Sequence, residues 1–200
     1  MAGLEWCVAA RTLVGESNSG DHHLVLEQFP AALLAAVDGL GHGPEAAAAA
    51  EIAVRTLRRN AQESVISLVS RCHEELRGTR GVVMSLASYD AREGTLTWLG
   101  VGNVAGLVLR SHSGGHPPAM RLLLCRGVVG RKLPALHVTT FPVQPGDTLV
   151  FVTDGVASDF DSDLDTGQPI QVLAERIIDQ HGRSDDDALA LIARFPDGRS

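Results

Sequence analysis

Two continuous apolar runs in this chain each end close to an aspartate that is followed by glycine. The first covers 31–37 and stops at Asp38-Gly39, and the second covers 149–152 and is followed within two residues by Asp154-Gly155. Short runs without polar alternation are typical of strands that are buried on both faces. A fold that contains both runs therefore carries acidic side chains at the ends of buried strands.

The rest of the pattern predicts an α+β fold in which strands and helices are segregated. A helix is predicted to begin at Pro44, directly after His42-Gly43, and further helices are predicted over about 62–76 and 168–181. Strands are predicted over 5–14, 22–29, 31–37, 81–89, 94–100, 104–110, 120–126, 136–142, 147–153 and 187–194. Because most strands follow one another directly, we expect a sandwich with antiparallel pairing rather than a doubly wound parallel sheet.

Length and composition limit the classes of function. The chain has 200 residues, 44% of them hydrophobic, so we expect one globular domain over 1–200. No apolar run approaches the roughly 20 residues that span a bilayer, and the N-terminus lacks the pattern of a signal peptide. We therefore expect a cytoplasmic protein with no membrane partner. The net charge of -7 argues against nucleic acid, because binding to its phosphates needs a basic face.

Four short acidic segments could supply ligands for a hard cation. They are Ser19-Gly20-Asp21, the segment 38–43, Thr153-Asp154-Gly155 and Asp185-Asp186-Asp187. Carboxylates and turn carbonyls suit Mg²⁺ or Mn²⁺, because these ions prefer oxygen ligands. Each segment alone is as consistent with a capped turn or a solvated loop. Together in a cleft, their charges would repel by at least about 1 kcal/mol per pair unless a cation neutralises them.

Other features have weaker implications. His42 could be a general acid or a ligand, and it could equally be a capping or packing residue. The segment 100–105 fits the pattern G-x-G-x-x-A, but the absence of a following helix argues against a dinucleotide site. The loops at 111–119, 127–135 and 158–168 are expected to select the partner, since loops carry most variation.

Taken in order, the short motifs resemble those of the PPM family of metal-dependent serine/threonine phosphatases. The motifs are Ser-Gly-Asp at 19–21, Asp-Gly-Leu-Gly-His-Gly at 38–43, Gly-x-Gly-Asn at 100–103, Thr-Asp-Gly at 153–155 and Asp-Asp-Ala at 186–188. They span nearly the whole chain and are most similar to the bacterial SpoIIE-like branch. The absence of a sensor or membrane domain makes the chain resemble the compact RsbX-type subfamily.

The resemblance implies a four-layer αββα sandwich with two Mn²⁺ or Mg²⁺ ions in its cleft. Asp38 would bridge the ions, and Asp21 with the Gly39 carbonyl would complete one ion site. Asp154 and Asp186 would hold the other ion, and Asp38 and Asp154 would be essential for catalysis. A pair of such ions lowers the pKa of a water molecule, so that hydroxide can attack phosphorus near neutral pH.

The sequence also departs from the family pattern. Leu189 stands where the family usually has threonine, which affects the local hydrogen bonding. Asp186 is the ligand that the register of the following strand favours, with Asp187 as the alternative. Leu40 occupies the place where eukaryotic relatives often have histidine. Residues 16–19 contain no base, although those relatives often have an arginine upstream of the first aspartate. The resemblance therefore implies that phosphate binding depends more heavily on the ions.

The implied function is dephosphorylation of a bacterial signalling protein, with phosphorylated STAS-domain proteins of the stressosome as partners in feedback on the general stress response. The alternative is a catalytically silent module that keeps the fold in order to dock a partner. A different metal hydrolase, such as a phosphodiesterase, is disfavoured because such sites usually recruit several histidines. The sequence leaves the oligomeric state open, with a monomer as the default expectation.

Overall fold

The structure, a computed structural model, describes residues 3–111, 119–162 and 164–196. Most of the loop predicted at 111–119 therefore lies outside the described residues. Within these ranges the elements are β1 (Glu5–Arg11), β2 (Asp21–Gln28), β3 (Ala31–Gly39), α1 (Pro44–Arg59), α2 (Val65–Glu75), β4 (Val82–Asp90), β5 (Thr95–Val101), β6 (Ala105–Leu109), β7 (Ala119–Arg121), β8 (Thr139–Pro142), β9 (Thr148–Val152), α3 (Ile170–His181) and β10 (Ala188–Arg194).

The strands form two five-stranded sheets. Their orders are β1-β10-β9-β6-β7 and β2-β3-β4-β5-β8, and neighbouring strands are antiparallel throughout. Helices α1 and α2 cover the outer face of the second sheet, and α3 covers the outer face of the first. The predicted α+β class and its four-layer αββα arrangement are confirmed. None of the described helices is long and apolar enough to cross a membrane.

The apolar run in β3 is buried on both faces, as its sequence predicts. Leu34 and Ala36 lie in the core between the two sheets, whereas Leu33, Ala35 and Val37 pack beneath α1 and α2. The same division holds in β9, where alternate side chains face the intersheet core and α3. Both strands are thus fixed from two sides, and the residues after them leave the core at defined points.

Helix α1 packs very close to the end of β3. Pro44 occupies its first turn, and its buried face consists largely of alanine, including Ala46. A Cβ added to Gly39 would lie 2.1 Å from the Ala46 carbonyl oxygen, so only glycine allows this approach. The small residues therefore bring the start of α1 directly beside Asp38.

The segment predicted as a strand over 120–126 is the main difference from the sequence-based expectation. Strand β7 ends at Arg121. Leu122 N still donates to Gly106 O of β6 at 3.0 Å, and from Cys125 the chain bonds to the other sheet. Cys125 N donates to Gly100 O at 2.9 Å, and Gly102 N donates to Cys125 O at 2.9 Å. These pairings across the sandwich replace the continuation of the β7 ladder, which local sequence pattern does not reveal.

Gly155→Ala should destabilise the fold strongly, because a Cβ there would lie 1.8 Å from the Asp187 carbonyl oxygen. We expect the free energy of unfolding to fall by about 2–3 kcal/mol, as overpacking of backbone against backbone typically does. Urea denaturation measures this change. In the control Gly167→Ala the nearest atom is a flexible side-chain oxygen at 3.2 Å, so a loss as large as that of Gly155→Ala would contradict the explanation.

Candidate active site

A cleft of about 510 Å³ opens where the ends of β3 and β9 meet. Its acidic lining consists of Asp38, Asp154, Asp185 and Asp186, which come from three separate segments of the chain. The turn after β5 and the segment 126–128 also line the cleft. The structure therefore brings together in one cleft three of the four acidic segments that the sequence singles out.

Asp21 lies directly behind the cleft. It begins β2 and pairs with Asp38 of β3 in the antiparallel register, so the two carboxylate-bearing residues stand side by side. Asp21 is only 8% exposed. Gly39 N donates to Gly20 O at 3.0 Å, which holds the end of β3 against the residue preceding Asp21. The predicted ligands Asp21, Asp38 and Gly39 are thus neighbours.

Asp154 is oriented by Asn103. The Asn103 side-chain amide donates to Asp154 Oδ2 at 2.6 Å from the turn between β5 and β6. Sequence reasoning gave Asn103 no role of its own, although it belongs to the Gly-x-Gly-Asn motif. The motif was the only available signal, since the contact depends on the pairing of β6 with β9, which are distant in the chain.

Thr153 links the two sheets at the base of the site. Its hydroxyl donates to Asp21 Oδ2 at 2.6 Å and accepts from Leu189 N at 2.9 Å. The Leu189 side chain itself is 1% exposed and belongs to the intersheet core. The hydroxyl at this point therefore belongs to Thr153, whereas the side chain of residue 189 packs in the core.

The two alternatives at the start of β10 have different surroundings. Asp187 is 3% exposed, and its carboxylate oxygens already accept from Leu13 N at 2.8 Å and from Gly20 N at 2.7 Å. Asp186 is half-buried and lines the cleft. Asp187 therefore ties the loop before β2 to β10, whereas Asp186 offers its carboxylate to the cleft.

His42 lies at the rim of the cleft rather than in its acidic wall. Its Nδ1 is 2.7 Å from Glu16 Oε1, and its side chain is 61% exposed. Glu16 thus orients the imidazole ring of His42 from outside the cluster of aspartates. This contact accounts for His42 as a surface pairing residue of the loop before α1.

Burial of these acids disfavours their charged forms. Burial, followed by repulsion from Asp21, Asp154 and Asp186, raises the pKa of Asp38 to about 9, and a hydrogen bond with Asp154 adds to this. Burial also raises the pKa of Asp21 to about 7, against the opposing hydrogen bond from Thr153. The pKa of Asp186 is raised for the same reason. Such a cluster is stabilised by a positive charge placed among its oxygens.

The donor set fits a hard cation, with some rearrangement. Among the described residues, no three His, Cys, Asp or Glu side chains already surround one point at ligand distance. The Asp38 and Asp154 carboxyl groups lie close enough together for Asp154 to raise the pKa of Asp38. Asp154 and Asp186 are only half-buried, so their side chains can rotate toward an ion. The ligands would be all oxygen, which is the preference of Mg²⁺ and Mn²⁺.

Comparison with known proteins identifies one family. The model of Stage II sporulation protein E (SpoIIE) matches residues 31–197 of this chain. Phosphoserine phosphatase RsbX of Bacillus subtilis (strain 168) is 27% identical over 165 residues, which are 82% of this chain and 80% of RsbX.

Solved structures agree with this family match. A chain from a study of the bacterial stressosome as a modular system adapted to control secondary messenger signaling is 31% identical. It superposes with a TM-score of 0.86 over 96% of this chain and 100% of its own length. RsbX in complex with magnesium, at 21% identity, superposes with a TM-score of 0.85 over 97% of this chain and 99% of RsbX. At that identity the superposition on RsbX shows the shared fold.

The raised pKa values predict that the metal-free protein loses stability as pH rises. The unfolded chain releases the Asp38 and Asp21 protons near pH 4, whereas the folded protein retains them until about pH 9 and about pH 7. Between these limits the folded state binds more protons, so the free energy of unfolding falls with increasing pH. Asp38→Asn should remove much of this slope and be more stable than wild type at pH 8 by at least about 1 kcal/mol.

Guanidinium denaturation in EDTA at pH 5 and pH 8 measures both effects. Glu93→Gln removes an exposed carboxylate far from the cleft and should leave the slope unchanged. A stability difference between Asp38→Asn and wild type that is equal at the two pH values would contradict the assignment of the slope to the buried cluster.

Proposed function

This chain belongs to the SpoIIE family, and we propose that it is a Mn²⁺- or Mg²⁺-dependent protein serine/threonine phosphatase. The observation that carries the proposal is the convergence of carboxylates from three separate segments on one cleft, with Asp21 directly behind it. Isolated acidic turns on the surface would not need this arrangement. The relative RsbX is a phosphoserine phosphatase, which supports the same reaction class.

Two metal ions are part of the proposal. Asp38 would bridge them, Asp21 with the Gly39 carbonyl would complete one site, and Asp154 with Asp186 would hold the other. When bound, the ions would supply a nucleophile at neutral pH and offset the negative charge on the phosphoryl oxygens. The magnesium bound to RsbX supports this choice of ion.

The residues of the chain would position these ligands. Thr153 holds the carboxylate of Asp21 through its hydroxyl, and Asn103 holds that of Asp154 through its amide. Fixed orientation is valuable in such a site, because a misplaced ligand weakens metal binding even when its charge is retained. The support is strongest for these two carboxylates, since each has a single short hydrogen bond from another segment.

For the substrate we propose phosphoserine or phosphothreonine on a STAS-domain protein of the stressosome. The support is the similarity to RsbX and to a chain studied in the stressosome context. In this proposal residues 1–200 form one catalytic domain that acts as a monomer in the cytoplasm. The setting would be negative feedback in the general stress response.

A catalytically silent docking module remains the competing candidate, because Leu40 lines the cleft where a polar residue could assist the reaction. The two candidates differ in what metal does to the protein. A working site should raise the melting temperature in proportion to the logarithm of the Mn²⁺ concentration above its Kd. Absence of any shift at millimolar Mn²⁺ would favour the silent module.

Purified protein should release phosphate from a phosphoserine peptide and from p-nitrophenyl phosphate only when Mn²⁺ or Mg²⁺ is added. Asp38→Asn should lower kcat by at least about 100-fold, because the group proposed to bridge both ions loses its charge. Phosphate release with each substrate measures the effect. Glu93→Gln serves as the matched control and should keep full activity; activity in EDTA, or full activity in Asp38→Asn, would refute the proposal.

A further inference from the structure

The segment after β7 carries an arginine to the wall of the cleft. Cys125 is bound to Gly100 and Gly102 on one side of this arginine, Arg126. On the other side Val129 exchanges backbone hydrogen bonds with Val82, at 2.9 and 3.0 Å. The backbone of Arg126 is thus fixed one residue after the first anchor and three before the second. The position of the Arg126 backbone is therefore set by hydrogen bonds of its neighbours to the sandwich.

The side chain of Arg126 is available to a ligand. It is exposed and lines the same cleft as Asp38, Asp154 and Asp186. Within the described ranges it makes no hydrogen bond or ion pair, although four aspartates line that cleft. By contrast, Arg110 and Arg121 each pair with an aspartate elsewhere in the molecule.

Arg126 is also the only lysine or arginine among the described residues that line the cleft. A phosphate monoester carries close to two negative charges at neutral pH, and it approaches a wall of aspartates in a protein of net charge -7. A guanidinium can offer two parallel N–H groups to two phosphoryl oxygens. Residues 16–19, before the first aspartate, offer no such group.

We propose that Arg126, which lines the cleft together with the carboxylates, binds the phosphoryl group of the phosphoserine or phosphothreonine substrate. This inference rests on the proposed phosphatase function and adds to it a substrate-binding residue from the segment between β7 and β8. Arg126 would contact the phosphoryl oxygens rather than the protein part of the substrate. Its effect should therefore be the same for every phosphomonoester that enters the cleft.

The test compares Arg126→Ala and Arg126→Lys with wild type in saturating Mn²⁺. In Arg126→Ala we expect kcat/KM to fall about 10-fold to 100-fold for both a phosphoserine peptide and p-nitrophenyl phosphate, mainly through KM. Inhibition by inorganic phosphate should weaken by a similar factor. Arg126→Lys should recover part of the loss, because it restores the charge but not the paired N–H groups.

The matched control is Arg92→Ala, an exposed arginine in the turn between β4 and β5 that does not line the cleft. It should retain wild-type kcat/KM. Unchanged kcat/KM in Arg126→Ala would overturn the proposal, as would a loss with the phosphopeptide alone, which would indicate protein docking. A fall in thermal stability in EDTA with unchanged phosphate inhibition would also overturn it, since Arg126 would then merely balance the carboxylates.

The phosphatase function and the role of Arg126 are refuted by different results. Absence of metal-dependent phosphatase activity in the wild-type protein would refute the proposed function. An active wild type with an equally active Arg126→Ala would leave that function intact and remove Arg126 from substrate binding.

Discussion

The repulsion among carboxylates at one end of the sandwich is the constraint on which the rest of the site depends. Asp21 and Asp38 stand side by side in neighbouring strands, and Asp38 also meets Asp154. Desolvation and like charge make this arrangement unfavourable in the ionised state. The chain can maintain it because three apolar layers elsewhere in the sandwich stabilise both strands that deliver these residues. The ionised site thus lowers the stability of the fold, and a bound cation would reduce the repulsion that causes this loss.

Close backbone contacts set the positions of the acids. Gly39 touches the backbone of Ala46 at the start of α1, and Gly155 touches that of Asp187. The end of β3, which carries Asp38, therefore packs against α1. The turn after β9, which carries Asp154, packs against the residue before β10. Any side chain larger than that of glycine at position 39 or 155 would separate these backbones and move Asp38 or Asp154 away from the cleft. The Asp-Gly pairs in the sequence therefore have a steric reason as well as a chemical one.

Much of the fold could be predicted because its signals are local. Continuous apolar runs identified β3 and β9, helical spacing identified α1, α2 and α3, and each element appears within a few residues of its predicted bounds. Strand β7 was predicted too long, since the chain bonds to the other sheet from Cys125 onward. The pairing of Cys125 with Gly100 is a property of the assembled sandwich. The alternation of polar and apolar residues along a strand carries no information about such a pairing between sheets.

The same distinction explains which parts of the site were predicted. The aspartates follow buried strands or form a visible cluster, so their residue types and positions mark them in the sequence. Their supporting residues have no such mark, because Thr153 and Asn103 reach Asp21 and Asp154 from segments distant in the chain. The Thr153 hydroxyl joins Leu189 N to Asp21, so the residue directly after β9 links β10 to β2. This link depends on how strands of the two sheets meet, which the sequence around Thr153 does not reveal.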